Sequence, residues 1–545
     1  MILSKSRSLI ILTRFVSTES AKNASAESIA VDPKDSYYKK IGYGVSKENE
    51  GKPEGWDEAK PFEEIPGPKP IPILGNAWRF FPLVGDMHNI QIIDLHTKFR
   101  EQYGDIAYFS GIHGKRPMVF CYNPDDIEKV LRNEGPWPIR YGMTAFVHYR
   151  KNVRKDVFQD VGGVLTSQGE EWFNIRSIVN KILMQPRTAE MYVGSMDTIA
   201  RDLIDNIRHF SKASTDNLMP EDFQNELYKW ALESIGVISY NKRFGALKRD
   251  LSKDSDEQKY ISSVVEMFEL FFKLEVLPSL WPYISTKTWR RAVELLDFLT
   301  DVNQRSIEEC IRAADPNPNI PDHERSVLER LLKKDRKVAV AMTTDIVIAG
   351  VDTTGRTMAA ALYFLAKNPD KQKRFREELK KHLPSKESAV TKEMLKDSPY
   401  LKAVIKETTR LAPIAPGNMR TTIKDLVLSG YRIPKGTDVV SANILLSHDE
   451  KYYVKPKEFI PERWLRTTQE NYSYKNVHPF VTLPFGFGPR SCIGKRLANL
   501  ELEVGLSKII RNFELSWPHP DAKFGAKLLY GIEDPLRYKV VEAAD

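Results

Sequence analysis

Apolar residues between positions 85 and 415 recur mostly at spacings of three and four, the pattern of helices that bury one face. Asp222–Tyr240, Tyr260–Leu274 and Thr288–Ile311 are such runs. Two helix starts are also marked by their chemistry. Asn368 stands before Pro369 and a run through Lys371–Leu383; Ser398 stands before Pro399 and the run Tyr400–Leu411, which ends before Pro413. Asn and Ser side chains accept from the free N–H groups of a first turn, and Pro fits the first position because the N–H it lacks would have no helical partner. Strand-like stretches are few and short: Ile106–Phe109, Met118–Tyr122, Arg432–Ile433, Asp438–Ser441 and the Leu528–Val541 region. These patterns predict a mainly α fold with small β-sheets and argue against a wound α/β sheet.

Val338–Ala366 is one long apolar-rich helical run, yet its middle reads Ala349-Gly350-Val351-Asp352-Thr353-Thr354. Gly inside a helix costs about 1 kcal/mol against Ala, and an acid with two hydroxyls costs desolvation on a buried face unless each is paired. Local rules are broken where function is often found. A turn of the helix facing solvent explains the same residues, and from the residues alone the two readings stand level.

Ahead of residue 61 the periodicity fades. Lys5, Arg7 and Arg14 precede the first acid, Glu19; Ser is frequent and the apolar clusters are short. Basic, Ser-rich, acid-poor and amphipathic is the composition of a mitochondrial transit peptide, expected over residues 1–16, and Arg14-Phe15-Val16-Ser17 resembles a matrix-protease cleavage step. A membrane anchor needs about 20 consecutive apolar residues, and no such stretch occurs. Residues 17–60 read as a polar linker. Ile65-Pro66-Gly67-Pro68-Lys69-Pro70-Ile71-Pro72 then forms a stiff extended lead, since Pro fixes φ and removes donors, into one large domain placed at 61–545.

Composition narrows the class. The 545 residues are 41% hydrophobic and 28% charged, too apolar for disorder and too polar for many membrane spans. The net charge of +8 is too diffuse to indicate nucleic acid. The three cysteines, Cys121, Cys310 and Cys492, form neither a disulfide framework nor a C-x-x-C metal site, which makes a reducing compartment the default.

The strongest local signal is Pro484-Phe485-Gly486-Phe487-Gly488-Pro489-Arg490-Ser491-Cys492-Ile493-Gly494-Lys495-Arg496, followed by a helical pattern over Leu497–Ile510. The glycines permit tight turns and a close approach of backbone to a flat ligand. A thiolate near a helix N-terminus, with a cation two residues away, is stabilised as the anion. A buried structural cysteine is the ordinary alternative for a lone Cys; the full spacing Phe-x-x-Gly-x-Arg-x-Cys-x-Gly argues against it.

That spacing resembles the haem-binding loop of the cytochrome P-450 family. The resemblance covers most of 61–545. Glu407-Thr408-Thr409-Arg410 is similar to the family's Glu-x-x-Arg helix, Pro461-Glu462-Arg463-Trp464 to its Pro-Glu-Arg-Phe segment with Trp in place of Phe, Trp172-Phe173-Asn174-Ile175-Arg176 to its Trp-x-x-x-Arg helix, and Ala349–Thr354 to its oxygen-binding motif. The resemblance implies haem b with Cys492 as axial thiolate and Phe485 packed over the sulfur. It implies Trp172, Arg176, Arg420 and Arg490 on the haem propionates, with His448 as a further candidate, and Glu407, Arg410 and Arg463 as a buried ion-paired triad. Asp352 and Thr353 are implied as a proton relay at a groove opened by Gly350.

The same resemblance implies a haem-thiolate monooxygenase that inserts one atom of O2 into a lipophilic substrate, xenobiotic or steroid-like. No flavin or iron–sulfur motif is present, so electrons come from outside. Leu401–Thr408 is similar to the segment with which mitochondrial members dock an acidic adrenodoxin-type [2Fe-2S] ferredoxin, which makes Lys402 and Lys406 the docking cations, and Lys495-Arg496 resemble that clan too. Gly135–Met143 looks most like the insect branch numbered twelve. Met267–Pro278 and Leu280–Tyr283, rich in aromatics, suit a lid over the substrate channel and a peripheral dip into the matrix side of the inner mitochondrial membrane. The expected pocket lies at Trp137–Phe146, Phe268–Leu277, Ile346, Ala349, Ile414, Ala415, Leu529 and Tyr530. Two other classes share such a loop: a haem-thiolate isomerase or dehydratase, whose known forms lack the intact acid–alcohol pair present here as Asp352-Thr353, and a non-enzymatic haem sensor.

Overall fold

A computed structural model describes residues 51–112, 114–313, 321 and 325–544. The expected transit peptide and residues 17–50 of the expected linker lie outside the described residues. The helical runs form where the periodicity places them. The longer helices are α1 (Ile92–Tyr103), α2 (Pro124–Arg132), α3 (Gly169–Leu183), α4 (Val193–Ala213), α5 (Phe223–Tyr240), α6 (Asp256–Phe271), α7 (Lys287–Ala313), α8 (Arg336–Lys367), α9 (Pro369–His382), α10 (Pro399–Leu411) and α11 (Lys495–Asn512).

Two of the helix starts differ in detail from the expectation. Pro369 and Pro399 do occupy first positions, but neither Asn368 nor Ser398 caps its helix. Asn368 donates backwards to the Phe364 carbonyl at 2.8 Å, and Ser398 to that of Met394 at 2.7 Å. The free N–H groups of Tyr400 and Leu401 are met instead by the Glu378 carboxylate of α9, at 2.9 and 3.0 Å. A long-range carboxylate replaces the local hydroxyl at the positive end of the helix dipole.

The strands are β1 (Ile106–Phe109), β2 (Met118–Cys121), β3 (Asn418–Thr421), β4 (Leu426–Leu428), β5 (Tyr431–Ile433), β6 (Asp438–Ser441), β7 (Phe513–Ser516), β8 (Phe524–Ala526), β9 (Tyr530–Ile532) and β10 (Lys539–Glu542). One sheet has four strands in the order β1-β2-β6-β3; the others are the pairs β4-β5, β7-β10 and β8-β9. The Leu528–Val541 region therefore holds two strands that pair elsewhere rather than with each other. Residues 51–60, read as linker, touch the β4–β5 pair: Lys60 N–H donates to the Gly430 carbonyl at 2.9 Å, and Arg432 to the carbonyls of Trp56 and Asp57. The Pro-rich lead runs so close to β1 that a Cβ on Gly67 would lie 1.9 Å from the Tyr108 carbonyl oxygen.

The apolar core divides in two. A large helical core surrounds α5, α8 and α11. A smaller one lies on the four-stranded sheet, where Phe99 meets Phe109 and Phe120 edge-on at 5.2 and 4.9 Å. Among the described residues α8 is the one helix long and apolar enough to cross a membrane, yet its apolar stretch is 78% buried inside the protein. It is the central core helix, and its N-terminus is capped by Asp335, which accepts from Lys337 and Val338 N–H.

Candidate active site

The cysteine loop runs from Pro484 into α11. Gly486 and Gly488 have φ of +69° and +71°, the left-handed region that favours glycine, and the Cys492 N–H donates to the Phe485 carbonyl at 2.8 Å. Cys492 is exposed, yet the protein packed around it disfavours the charged form and pushes its thiol up. The N–H groups of Gly494 and Lys495 and the charges of Arg176 and Lys495 oppose that rise. Phe485 lies half-buried beneath the Lys495 ammonium, 5.5 Å from its ring centre.

Around this loop the fold gathers arginines. Arg176 of α3 donates to the Ser491 carbonyl at 2.7 Å, and its Nε has no partner. Trp172, one turn earlier, is fully buried with its indole N–H unpartnered, and its ring carries the Arg490 guanidinium at 4.2 Å. Arg490 donates to the carbonyls of Pro138 and Ser167 and to Gln168 Oε1. Arg420 of β3 pairs with Glu134 and donates to the carbonyls of Met419 and Phe487. A fourth cation, Arg140, joins them; the sequence reading placed it only in a pocket loop. Burial pushes Arg140 and Arg176 each down to about 10, and the charges of Arg420 and Arg176 add to the shift at Arg140. Arg490 is pushed further down by burial and by its three guanidinium neighbours. A guanidinium keeps its proton in proteins, so these shifts register the cost of burying the charges and, at Arg140 and Arg490, their mutual repulsion. His448 is not part of this group. It contacts the Leu411 carbonyl at 2.9 Å beside Arg410 and is held down at about 4, by burial first and Arg410 next. That corrects the expectation that it helps there.

A second buried charged centre lies beneath. Glu407 accepts from Arg410 Nε and Nη2 (2.9 and 2.8 Å), Arg463 Nε (3.1 Å), Trp464 Nε1 (2.9 Å) and the Ile460 N–H (3.0 Å). Arg410 also serves the carbonyls of Ser447, Pro456 and Glu458. The structure thus brings the expected triad together and adds Trp464, whose indole N–H supplies a donor that Phe would lack.

α8, which packs against α11, carries the acid–alcohol pair. Asp352 is fully buried; its Oδ1 accepts from Arg356 Nε at 2.7 Å and its Oδ2 has no partner. Burial raises its carboxyl, against Arg356 and the Tyr228 hydroxyl of α5. Thr353 Oγ1 donates to the Ala349 carbonyl at 2.7 Å. Gly350 does not open a groove: a Cβ there would lie 2.9 Å from Ile235 Cγ1, so this glycine lets α5 and α8 approach. Thr354 faces Glu501 of α11, a fully enclosed carboxyl that burial raises to about 8.

Comparison with known proteins supplies the identity. The cytochrome P-450 family model matches residues 65–527. The chain is 40% identical over 500 residues to cytochrome P-450 CYP12A2 of Musca domestica, covering 89% of this chain and 92% of that one. It is 39% identical over 498 residues to a Drosophila melanogaster protein named as a probable mitochondrial cytochrome P-450 12b2, covering 90% and 91%. It is 37% identical over 467 residues to the mitochondrial cytochrome P-450 12b1 of Drosophila acanthoptera, covering 85% and 86%. This chain belongs to the cytochrome P-450 family. It is a P-450 monooxygenase, and its cofactor is haem b with an axial cysteine thiolate. The residues fit that group on their own chemistry: one exposed thiol, unpartnered donors on Trp172 and Arg176, and neighbouring guanidinium charges suited to a flat dicarboxylate. Among the described residues no group of three or more His, Cys, Asp or Glu offers a rival metal site.

Two surfaces of this P-450 complete the picture. Lys402 and Lys406 of α10 share one patch with Lys495: Lys406 is exposed, with its ammonium over the rings of Trp464 and Tyr474, and desolvation together with the charges of Lys495 and Lys402 pushes it down. Lys402 donates to the Lys396 carbonyl at 2.8 Å. On the lid, most of the aromatics read as membrane-facing are core. Phe271, Phe272 and Leu274 are buried, and Trp281 stacks on Trp289 at 4.9 Å. What stays exposed is Leu280, Tyr283 and Ile284, together with Ile73, Leu83 and Val84. The β1–β2 turn connects these two groups, since Gly111 bonds Asn76 and Gly114 lies beside the Tyr283 ring.

Sequence reasoning missed Glu134, Arg140 and Glu501. Glu134 and Arg140 lie in or beside the Gly135–Met143 segment used to place the chain in its branch, and Glu501 sits inside the helix that follows the cysteine. No local pattern marks a buried charge when its partners are hundreds of residues away.

Proposed function

We propose that this chain is a mitochondrial monooxygenase that inserts one oxygen atom of O2 into a lipophilic substrate, on electrons from an adrenodoxin-type [2Fe-2S] ferredoxin. The observation that carries this reading is the exposed Cys492 thiol among Arg140, Arg176, Arg420 and Arg490, with Asp352 and Thr353 on the core helix α8. When bound, haem supplies the activation of O2 and the transfer of one oxygen atom to substrate.

The protein's own residues do the rest. Cys492 would hold the iron, with Phe485 over the sulfur. Trp172, Arg176, Arg420 and Arg490, joined by Arg140, would bind the two propionates. The Glu407–Arg410–Arg463 triad fixes the cysteine side of the core. Asp352, ion-paired to Arg356, and Thr353 would hold and pass protons at their carboxyl and hydroxyl oxygens on α8. Lys402, Lys406 and Lys495 form the cationic patch that an acidic ferredoxin would meet, a contact expected to be fast, weak and salt-sensitive.

The relatives' names and the acid-poor, basic residues 1–16 support a mitochondrial address on the matrix side. The exposed apolar residues from Ile73 to Val84 and Leu280 to Ile284 suit a peripheral contact with the inner membrane. Detoxification of foreign lipophiles is favoured over hormone synthesis by the branch resemblance.

The test is the reduced, CO-bound absorbance spectrum of the protein beside Cys492→Ala. A strongly red-shifted Soret band lost in the variant supports thiolate-held haem; a band unaffected by the substitution would sink it. Turnover should then require NADPH, ferredoxin and its reductase; product formed without reductant would point to the isomerase class. Thr353→Ala should consume O2 with less product per mole, and unchanged coupling would remove the proton-relay assignment.

A further inference from the structure

The arginine group has one carboxylate set into it, and nothing in the family motifs accounts for it. Glu134 follows α2 and is 4% exposed. One oxygen pairs with Arg420 Nε; the other, Oε1, is buried and has no hydrogen-bond partner. A Cβ built on Gly488 would lie 1.9 Å from that same Oε1, so the carboxylate fills the space a side chain at 488 would need. Arg420 in turn donates to the carbonyl of Phe487 at 3.1 Å. The carboxylate and its guanidinium therefore hold the Phe487–Gly488 backbone from two sides, a few residues ahead of Cys492. Glu134 also acts on Arg490, whose charge it supports against the other three arginines.

We infer that Glu134 is a positioning residue of the cofactor site, clamping Arg420 onto the cysteine loop and, by its negative charge, setting the ease with which the metal held at Cys492 is reduced. This rests on the haem-thiolate reading above. The physical ground is that a unit charge in an enclosed site is poorly screened. Here it is one of few negative charges within a cationic cluster, so its removal favours the state with one more electron. A residue that only packs would leave that equilibrium alone.

The experiment is a spectroelectrochemical titration of the substrate-free holoprotein, comparing parent, Glu134→Gln and Glu134→Asp. The Gln variant, close in shape but uncharged, should shift the ferric–ferrous equilibrium about tenfold toward the reduced form, ~59 mV for one electron. Glu134→Asp, which keeps the charge, should stay near the parent. Equal midpoints in parent and Gln variant would overturn the inference. If the Gln variant retains too little haem to titrate, transfer of haem to apomyoglobin decides: fast loss in Gln with retention in Asp supports the charged clamp, and equal loss in both overturns it. A parent lacking the red-shifted CO band would overturn the haem-thiolate reading itself and this inference with it, a result distinct from a normal band with unmoved midpoints.

Discussion

Two buried charged centres lie on the cysteine side of the molecule, and they are built in opposite ways. Around Glu407 every partner is supplied by the protein: two arginines, an indole N–H and a backbone N–H converge on one carboxylate, and the surplus N–H groups of Arg410 find carbonyls. Around Cys492 four guanidiniums meet, of which Arg420 alone is ion-paired among the described residues, to Glu134, and buried donors on Trp172 and Arg176 are left over. Buried charge is tolerated only when compensated. The first centre is thus complete as folded, while the second is complete only with an anionic ligand. Glu501 is a third solution, a buried carboxyl with Thr354 beside it and one oxygen unpartnered; it stays neutral instead.

The contrast can be broken most severely at Glu407. Glu407→Ala strands Arg410 and Arg463 in the interior, and about 3–5 kcal/mol of stability should go. Denaturant titration should show the loss in holo- and apoprotein alike; a loss confined to the holoprotein would mean that the triad belongs to the ligand site. Glu501 tests the neutral solution by pH. Its folded pKa of about 8 lies above the ordinary 4.5, so the native state binds the extra proton between those values and stability falls as pH rises through them. The parent should lose about 2 kcal/mol between pH 6 and pH 8 through this group, and Glu501→Gln should not. Matching pH profiles for the two would show that Glu501 is ionised throughout.

The arginine group should respond in the reverse sense to the triad. The Arg140 guanidinium makes no hydrogen bond among the described residues and is repelled by Arg420 and Arg176. Arg140→Leu should leave apoprotein stability unchanged within about 1 kcal/mol, yet weaken haem retention about tenfold, the size of one charge-assisted bond. A clear loss of apoprotein stability would remove the contrast. On the outer surface, Lys402→Glu with Lys406→Glu should cut ferredoxin-driven turnover roughly tenfold at low salt, with the CO spectrum unchanged; unaltered ferredoxin kinetics would dismiss that patch. The smallest effect is expected from Trp464→Phe, which removes one of several donors to Glu407 at a cost of about 1 kcal/mol in the melting midpoint analysis.

Much of this was legible before any coordinates, and the reason is locality. The helices, the thiol in its glycine-rich loop and the Glu407–Arg410 pair are written within a few residues of one another, because helical period, left-handed turns and i,i+3 contacts are short-range. The misreadings share the opposite cause. Asn368 and Ser398 are good local cap candidates, yet neither caps its helix, and Glu378 reaches one of those helix ends from another helix. Gly350 looked like an opening for a ligand, and Ile235 of a distant helix takes the space. Lid aromatics that suit a membrane are stacked inward, as Trp281 is on Trp289.

The sequence by itself determined the fold class, the family and the cysteine proposed as haem ligand, because each is carried by a contiguous pattern. Only the tertiary structure decided which buried charges are balanced. Glu134 and Arg420 stand 286 residues apart and Glu407 and Trp464 57 apart. Whether a carboxylate meets a cation, a backbone N–H or nothing at all depends on which elements pack together, and that pairing is what separates a finished core from a site that needs a ligand.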